Sequence, residues 1–164
     1  MADNEQTKNN LIKSEFIRSI LSLINNNEKY YFLSRSKSLA LIVKTIGQHM
    51  KLDDSMISLM VHSAFLLTII QNSMPVKFII NDPHEMNEDD RKTFFDNISQ
   101  SFNEITKSGN KLQARILNEL WEHFDGTGYP GKVKGTALLK ESQIVAMANL
   151  YHNGVYRLQK DDLD

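Results

Sequence analysis

Apolar residues recur at helical spacing along most of the chain. Leu11, Ile12, Phe16, Ile17, Ile20, Leu21, Leu23 and Ile24 make one series, and Asn25-Asn26-Asn27 ends it. Side chains at i, i+3, i+4 and i+7 share one face of an α-helix, so this series predicts a first amphipathic helix. Tyr30 to Leu33 bridge to a second, whose face reads Leu39, Ile42, Val43, Ile46 and Met50. Asp53 and Asp54 are suited to cap a third, with Met56, Met60, Ser63, Ala64 and Leu67 on one stripe. Phe94, Ile98, Phe102 and Ile105 predict a fourth, closed by Ser108-Gly109-Asn110, and Asn87-x-x-Asp90 is suited to cap it. Leu112, Ile116, Leu120 and Trp121 predict a fifth; Ile144, Val145, Met147, Ala148 and Tyr151 predict a sixth. The short run Val76 to Ile80 is partly β-branched but has no partner strand, which makes it a buried connector. The expectation is an all-α bundle of about six helices. It comprises a disordered arm over 1–10, one helical domain over 11–157 and a polar tail over 158–164.

One stretch breaks the pattern. Glu122-His123-Phe124-Asp125-Gly126-Thr127-Gly128-Tyr129-Pro130-Gly131 places three glycines and a proline within six residues, between two helical series. Glycine opens positive φ, and proline removes a donor while holding φ near −65°. The stretch must therefore be a shaped loop. Tyr129 beside Pro130 argues against a flexible linker, because a large ring in a glycine-rich turn packs down and fixes it.

Composition narrows the chemistry. With 164 residues the chain suits one domain with a substantial core. Its 19 basic and 20 acidic residues leave a formal charge of −1, so no overall field would recruit nucleic acid or an anionic membrane. No cysteine is present, which excludes disulfides, zinc–thiolate sites and thiol nucleophiles. The polar segment Met1 to Asn10 has no apolar stretch of signal-peptide type. The longest apolar run, Ala64 to Ile70, falls short of a membrane span. A cytoplasmic location without membrane insertion is expected.

The loop carries a resemblance. Glu122, Asp125, Gly126, Thr127, Gly128, Tyr129 and Pro130, followed by Lys134-Gly135, resemble the signature of the HD-GYP family. That family is a helical, metal-dependent branch of the HD superfamily that hydrolyses cyclic di-GMP. The resemblance extends over roughly 34–155, and it implies an HD-type bundle with a metal pair held by histidines and aspartates. At the matching positions this chain carries other residues. The first metal-binding histidine corresponds to Arg35, the His-Asp pair to Leu67-Thr68 and the assisting lysine to Gln71. The histidine of a His-Pro pair corresponds to Asn97, the paired histidines before the loop to Leu120 and Trp121, and the last aspartate to Asn149. Leucine and tryptophan donate nothing to a metal, and an arginine adds positive charge where a cation would bind.

The reading that follows is a degenerate, catalytically inactive HD-GYP-like domain with no metal and no cofactor. It acts as a protein-interaction or regulatory module in bacterial cyclic di-GMP signalling. The resemblance implies a protein partner, a GGDEF-type diguanylate cyclase domain, contacted through Glu122 and Asp125 to Pro130. An alternative is a receptor that binds cyclic di-GMP or a related nucleotide without cleaving it, its phosphates held by Arg35, Lys37, Lys132 and Lys134. A second alternative is residual phosphodiesterase activity at a site rebuilt from Glu122, His123, Asp125 and His152. The bland reading of the loop, that it joins two helices and caps the core, predicts a role in stability alone.

Overall fold

Helix starts are set by side chains that take up the first free N–H groups. Asp53 accepts from Met56 N at 2.8 Å and Asn87 from Asp90 N at 2.9 Å, and Asn110 caps a third helix through Gln113 N. The computed structural model describes residues 26–72, 74–75, 78, 83–107 and 110–161. Over these residues five α-helices follow in order: α1 (Asn26–His49), α2 (Asp54–Asn72), α3 (Glu88–Lys107), α4 (Lys111–Asn118) and α5 (Lys140–Asp161). Short 3₁₀ turns lie at Pro83–Glu85 and Gly135–Ala137, and no strand occurs among the described residues. The fold is all-α, as the periodicity predicts.

The chain forms two units, Met1–Ser34 and Arg35–Asp164. In the first, residues 26–34 are the opening turns of α1. The expected helix over 11–24 and the arm over 1–10 lie outside the described residues. In the second unit α3 runs along α4, while α2 contacts both α4 and α5. Leu39, Met60, Ala64, Leu67, Phe94, Phe102, Ile116 and Val145 fill the space between the helices and are essentially inaccessible. Of the connector 76–80, Phe78 is described, buried and edge-on to Phe94 at 6.1 Å.

Two boundaries differ from the sequence reading. The fifth predicted helix stops at Asn118, and Leu120 and Trp121 enter the core from the turn beyond it. The last helix continues to Asp161, past position 157 where a polar tail was expected. By mean hydropathy, 1.3 over Asp54–Gln71, α2 resembles a membrane span. Burial of Met60, Ala64 and Leu67 within the bundle accounts for the same composition.

Candidate functional site

Three helices meet at one guanidinium. Arg35, near the middle of α1, is 3% exposed and directs Nη2 to Gln71 Oε1 of α2 at 2.6 Å and to Asn149 Oδ1 of α5 at 2.8 Å. Its Nη1 donates to Asn153 Oδ1, one turn further along α5, at 2.7 Å. One residue later Ser36 Oγ pairs with Thr68 Oγ1 at 2.8 Å, and Thr68 also donates to Phe65 O. Burying the two guanidinium nitrogens Nη1 and Nη2 and the two hydroxyls is tolerated because each has a partner here. His152 lies on the same side of α5, and its pKa is drawn down to about 4, first by burial and then by the Arg35 charge.

Arg35, Gln71 and Asn149 are positions at which the resemblance implies metal chemistry, and the fold brings them together. The donor set does not fit a metal. A guanidinium carries five N–H donors and no lone pair to offer, and Gln71 and Asn149 both turn their oxygens towards it. Leu67 is fully buried in the core, as are Leu120 and Trp121 but for 6% and 8% of their surface. Trp121 packs edge-on to Phe94 at 5.1 Å and to Phe95 at 5.9 Å. Among the described residues no three His, Asp or Glu side chains converge as a metal site.

Asn97, expected at the place of a further ligand, is not in this cluster. It is exposed on α3 and donates to Thr93 O at 2.8 Å within its own helix. Pro83 and His84, in the acidic loop before α3, border the site instead. The imagined rebuilt cluster of Glu122, His123, Asp125 and His152 does not converge among the described residues, and its three loop members are held within the loop. Glu122 accepts the N–H groups of Gly131 and Val133, Asp125 those of Thr127, and His123 Nδ1 pairs with Thr127 Oγ1 at 3.1 Å.

The loop itself is tightly braced. Asp125 accepts from both the hydroxyl and the N–H of Thr127, at 2.7 and 2.9 Å, and these bonds hold its carboxyl below the usual range. Gly126 adopts φ +82, and a side chain at Gly128 would run into His123 N at 2.2 Å and Glu122 Cα at 2.4 Å. Tyr129 N donates to Trp121 O at 3.0 Å, and its ring lies on Phe95 with centroids 3.8 Å apart. Tyr129 thus packs one face onto α3, as a ring in such a turn is expected to, while 38% of the residue stays exposed. Phe124, 65% exposed, is the more exposed of the two rings in the loop.

Beside the Arg35 cluster opens a cleft of about 420 Å³, bordered by Gln71, Asn149 and Asn153, by His84 and His123, and by Met147. The rings of His84 and His123 stack at its mouth, 4.2 Å apart. The proposed phosphate contacts are not gathered there. Arg35 is spent on three amides, while Lys37, Lys132 and Lys134 are exposed, and none of the four borders the cleft.

Two residues that shape the site escaped sequence reasoning. Asn153 completes the guanidinium shell, and its spacing of one helical turn from Asn149 was the available signal. Glu119, 6% exposed, accepts from Arg115 Nε, Leu139 N and Ser142 Oγ, which clips the end of α4 to the start of α5 across the loop.

Comparison with known proteins agrees with the helical architecture. No curated protein and no solved structure shows significant similarity to the chain. The family model described as HD domain matches residues 19–161, nearly the whole sequence. A helical bundle whose α1, α2 and α5 converge on one polar centre, matched over that length, identifies the chain as a member of the HD domain family.

Proposed function

We propose that this HD domain is a non-catalytic member of HD-GYP type that works as a protein-binding module in bacterial cyclic di-GMP signalling, in the cytoplasm. The observation that carries this reading is the Arg35 guanidinium, held by Gln71, Asn149 and Asn153 where a metal-dependent relative would assemble its ions. Hydrolysis of a phosphodiester by such a site depends on metals to generate hydroxide and to neutralise the departing oxygen. Arginine, leucine, threonine and tryptophan supply neither function.

The loop supports the second half of the reading. Its hydrogen bonds preorganise Phe124 and the exposed edge of Tyr129, and rigid aromatic anchors bind partners at small entropic cost. A GGDEF-type diguanylate cyclase domain is the partner class that the loop motif implies.

The test has two arms. Protein loaded with iron or manganese is assayed for cyclic di-GMP hydrolysis, and no turnover above buffer is expected. A purified GGDEF domain is titrated against wild type and Phe124→Ala, with binding expected for the first and weakened by about 30-fold in the second. Turnover in the first arm overturns the non-catalytic reading. Equal affinities, or no binding, in the second overturn the partner assignment.

A further inference from the structure

An arginine has donors only, so the carboxamides around Arg35 can be oriented in one way. Gln71 gives the guanidinium its Oε1, and Asn149 and Asn153 give it their Oδ1 atoms. Each amino group must then point away from Arg35. No acceptor for these three NH₂ groups occurs among the described residues. Nor are they sealed off, because none of their nitrogens is among the fully buried atoms that lack a partner. All three residues border the cleft. The cleft therefore has a floor of amide donors, anchored from behind by a fixed positive charge. The charge reaches along α5 as well, where it helps hold His152 neutral.

The remaining walls are of a different kind. Phe78, Phe94, Trp121, Met147 and Leu150 give the cleft an apolar body. Of the two carboxylates on its border, Glu122 is spent on Gly131 and Val133 N–H groups and Glu85 is exposed at the mouth. Donors at one end and apolar surface along the sides match a ligand of two parts.

We infer that this cleft binds a small molecule with an oxyanion head group, a phosphate monoester or a carboxylate, on an apolar body. The head accepts from the NH₂ groups of Gln71, Asn149 and Asn153, and the body lies along Met147 and Leu150. Arg35 does not touch the ligand. It is a positioning residue that orients the three carboxamides and polarises them, and hydrogen bonds to charged acceptors are about twice as strong as neutral ones.

Calorimetric titration of the full chain with phenyl phosphate, phenylacetate and the neutral benzyl alcohol tests this. Saturable binding of at least one anion is expected, with benzyl alcohol weaker by about tenfold or more. Which anion binds assigns the head group. The decisive variants are Asn153→Asp and Gln71→Glu, since each keeps an oxygen for Arg35 while replacing the NH₂ donor with a negative charge. They should retain the thermal midpoint and lose affinity for the anion by about tenfold or more. Failure of both anions to bind wild type overturns the inference. Equal affinity for benzyl alcohol, or anion binding by both folded variants as tight as by wild type, overturns it too.

Discussion

The ring of Tyr129 lies on that of Phe95, centroids 3.8 Å apart and planes tilted by 33°, so one face of it is covered by α3 although the residue is exposed. It thus serves the fold as well as any partner, and the two roles separate by substitution. Tyr129→Ala should lower stability by about 1 to 2 kcal/mol, since a stacked pair contributes beyond its buried area. Phe124→Ala, at a ring 65% exposed, should leave stability within about 0.5 kcal/mol. Thermal melts of the two variants, run beside the partner titration, check both halves. A melt for Tyr129→Ala that matches wild type would remove the bracing role.

Trp121 stands where the resemblance implies a histidine, and it has been absorbed into the core. It is 8% exposed, and its edge-to-face contacts with Phe94 and Phe95 are made at 89° and 85°. Trp121→Ala should cost about 3 to 5 kcal/mol, combining lost transfer energy with the cavity left behind. Urea unfolding measures it. A loss below about 1 kcal/mol would mean that the ring is free to bind something else.

Arg35→Met removes the donors that satisfy three amide oxygens while leaving a chain of similar volume. Hydrogen bonds to charged groups are worth about 1.5 to 3 kcal/mol each, and they do not add fully, so a net loss of about 3 kcal/mol is expected. Arg35→Lys should recover little of it, because an ammonium is a point charge without the planar fork. Denaturant midpoints for both variants decide this, and equal stability of the lysine variant and wild type would refute it.

His152 sets a pH dependence. Its folded pKa of about 4 lies below its ordinary 6.5, so between those values the unfolded chain binds the proton and the folded chain does not. The contribution is complete above about pH 6.5 and is lost as pH falls towards 4. Stability of wild type should thus decline across that window more steeply than that of His152→Gln. Parallel profiles would show that this histidine titrates alike in both states.

Much of this was legible beforehand, and the reasons are local. Helical periodicity needs only the neighbouring turn, so Leu39, Met60, Leu67, Phe94 and Val145 could be read from spacing. Gly128 in the loop was equally readable, since a glycine-rich turn with a tyrosine advertises its own shape. The Arg35 cluster was not. It joins residues 36 and 118 positions apart, and the sequence displays an arginine in place of a histidine as a loss. Only the fold shows that Gln71, Asn149 and Asn153 turn to meet it. That Asn97 lies apart from the cluster was hidden for a related reason, because a long acidic segment separates it from the nearest landmark.

An ion that ties helices together can be withdrawn, by a chelator, by oxidation or by scarcity in the cell. Arg35 cannot, because its guanidinium is part of the chain and keeps its proton at any pH a cell experiences. The tie between α1, α2 and α5 is made of side chains alone, and it should survive chelators that strip iron or manganese. The loop, braced by its own hydrogen bonds at Glu122 and Asp125, should likewise keep one shape in a metal-starved cell and in a replete one.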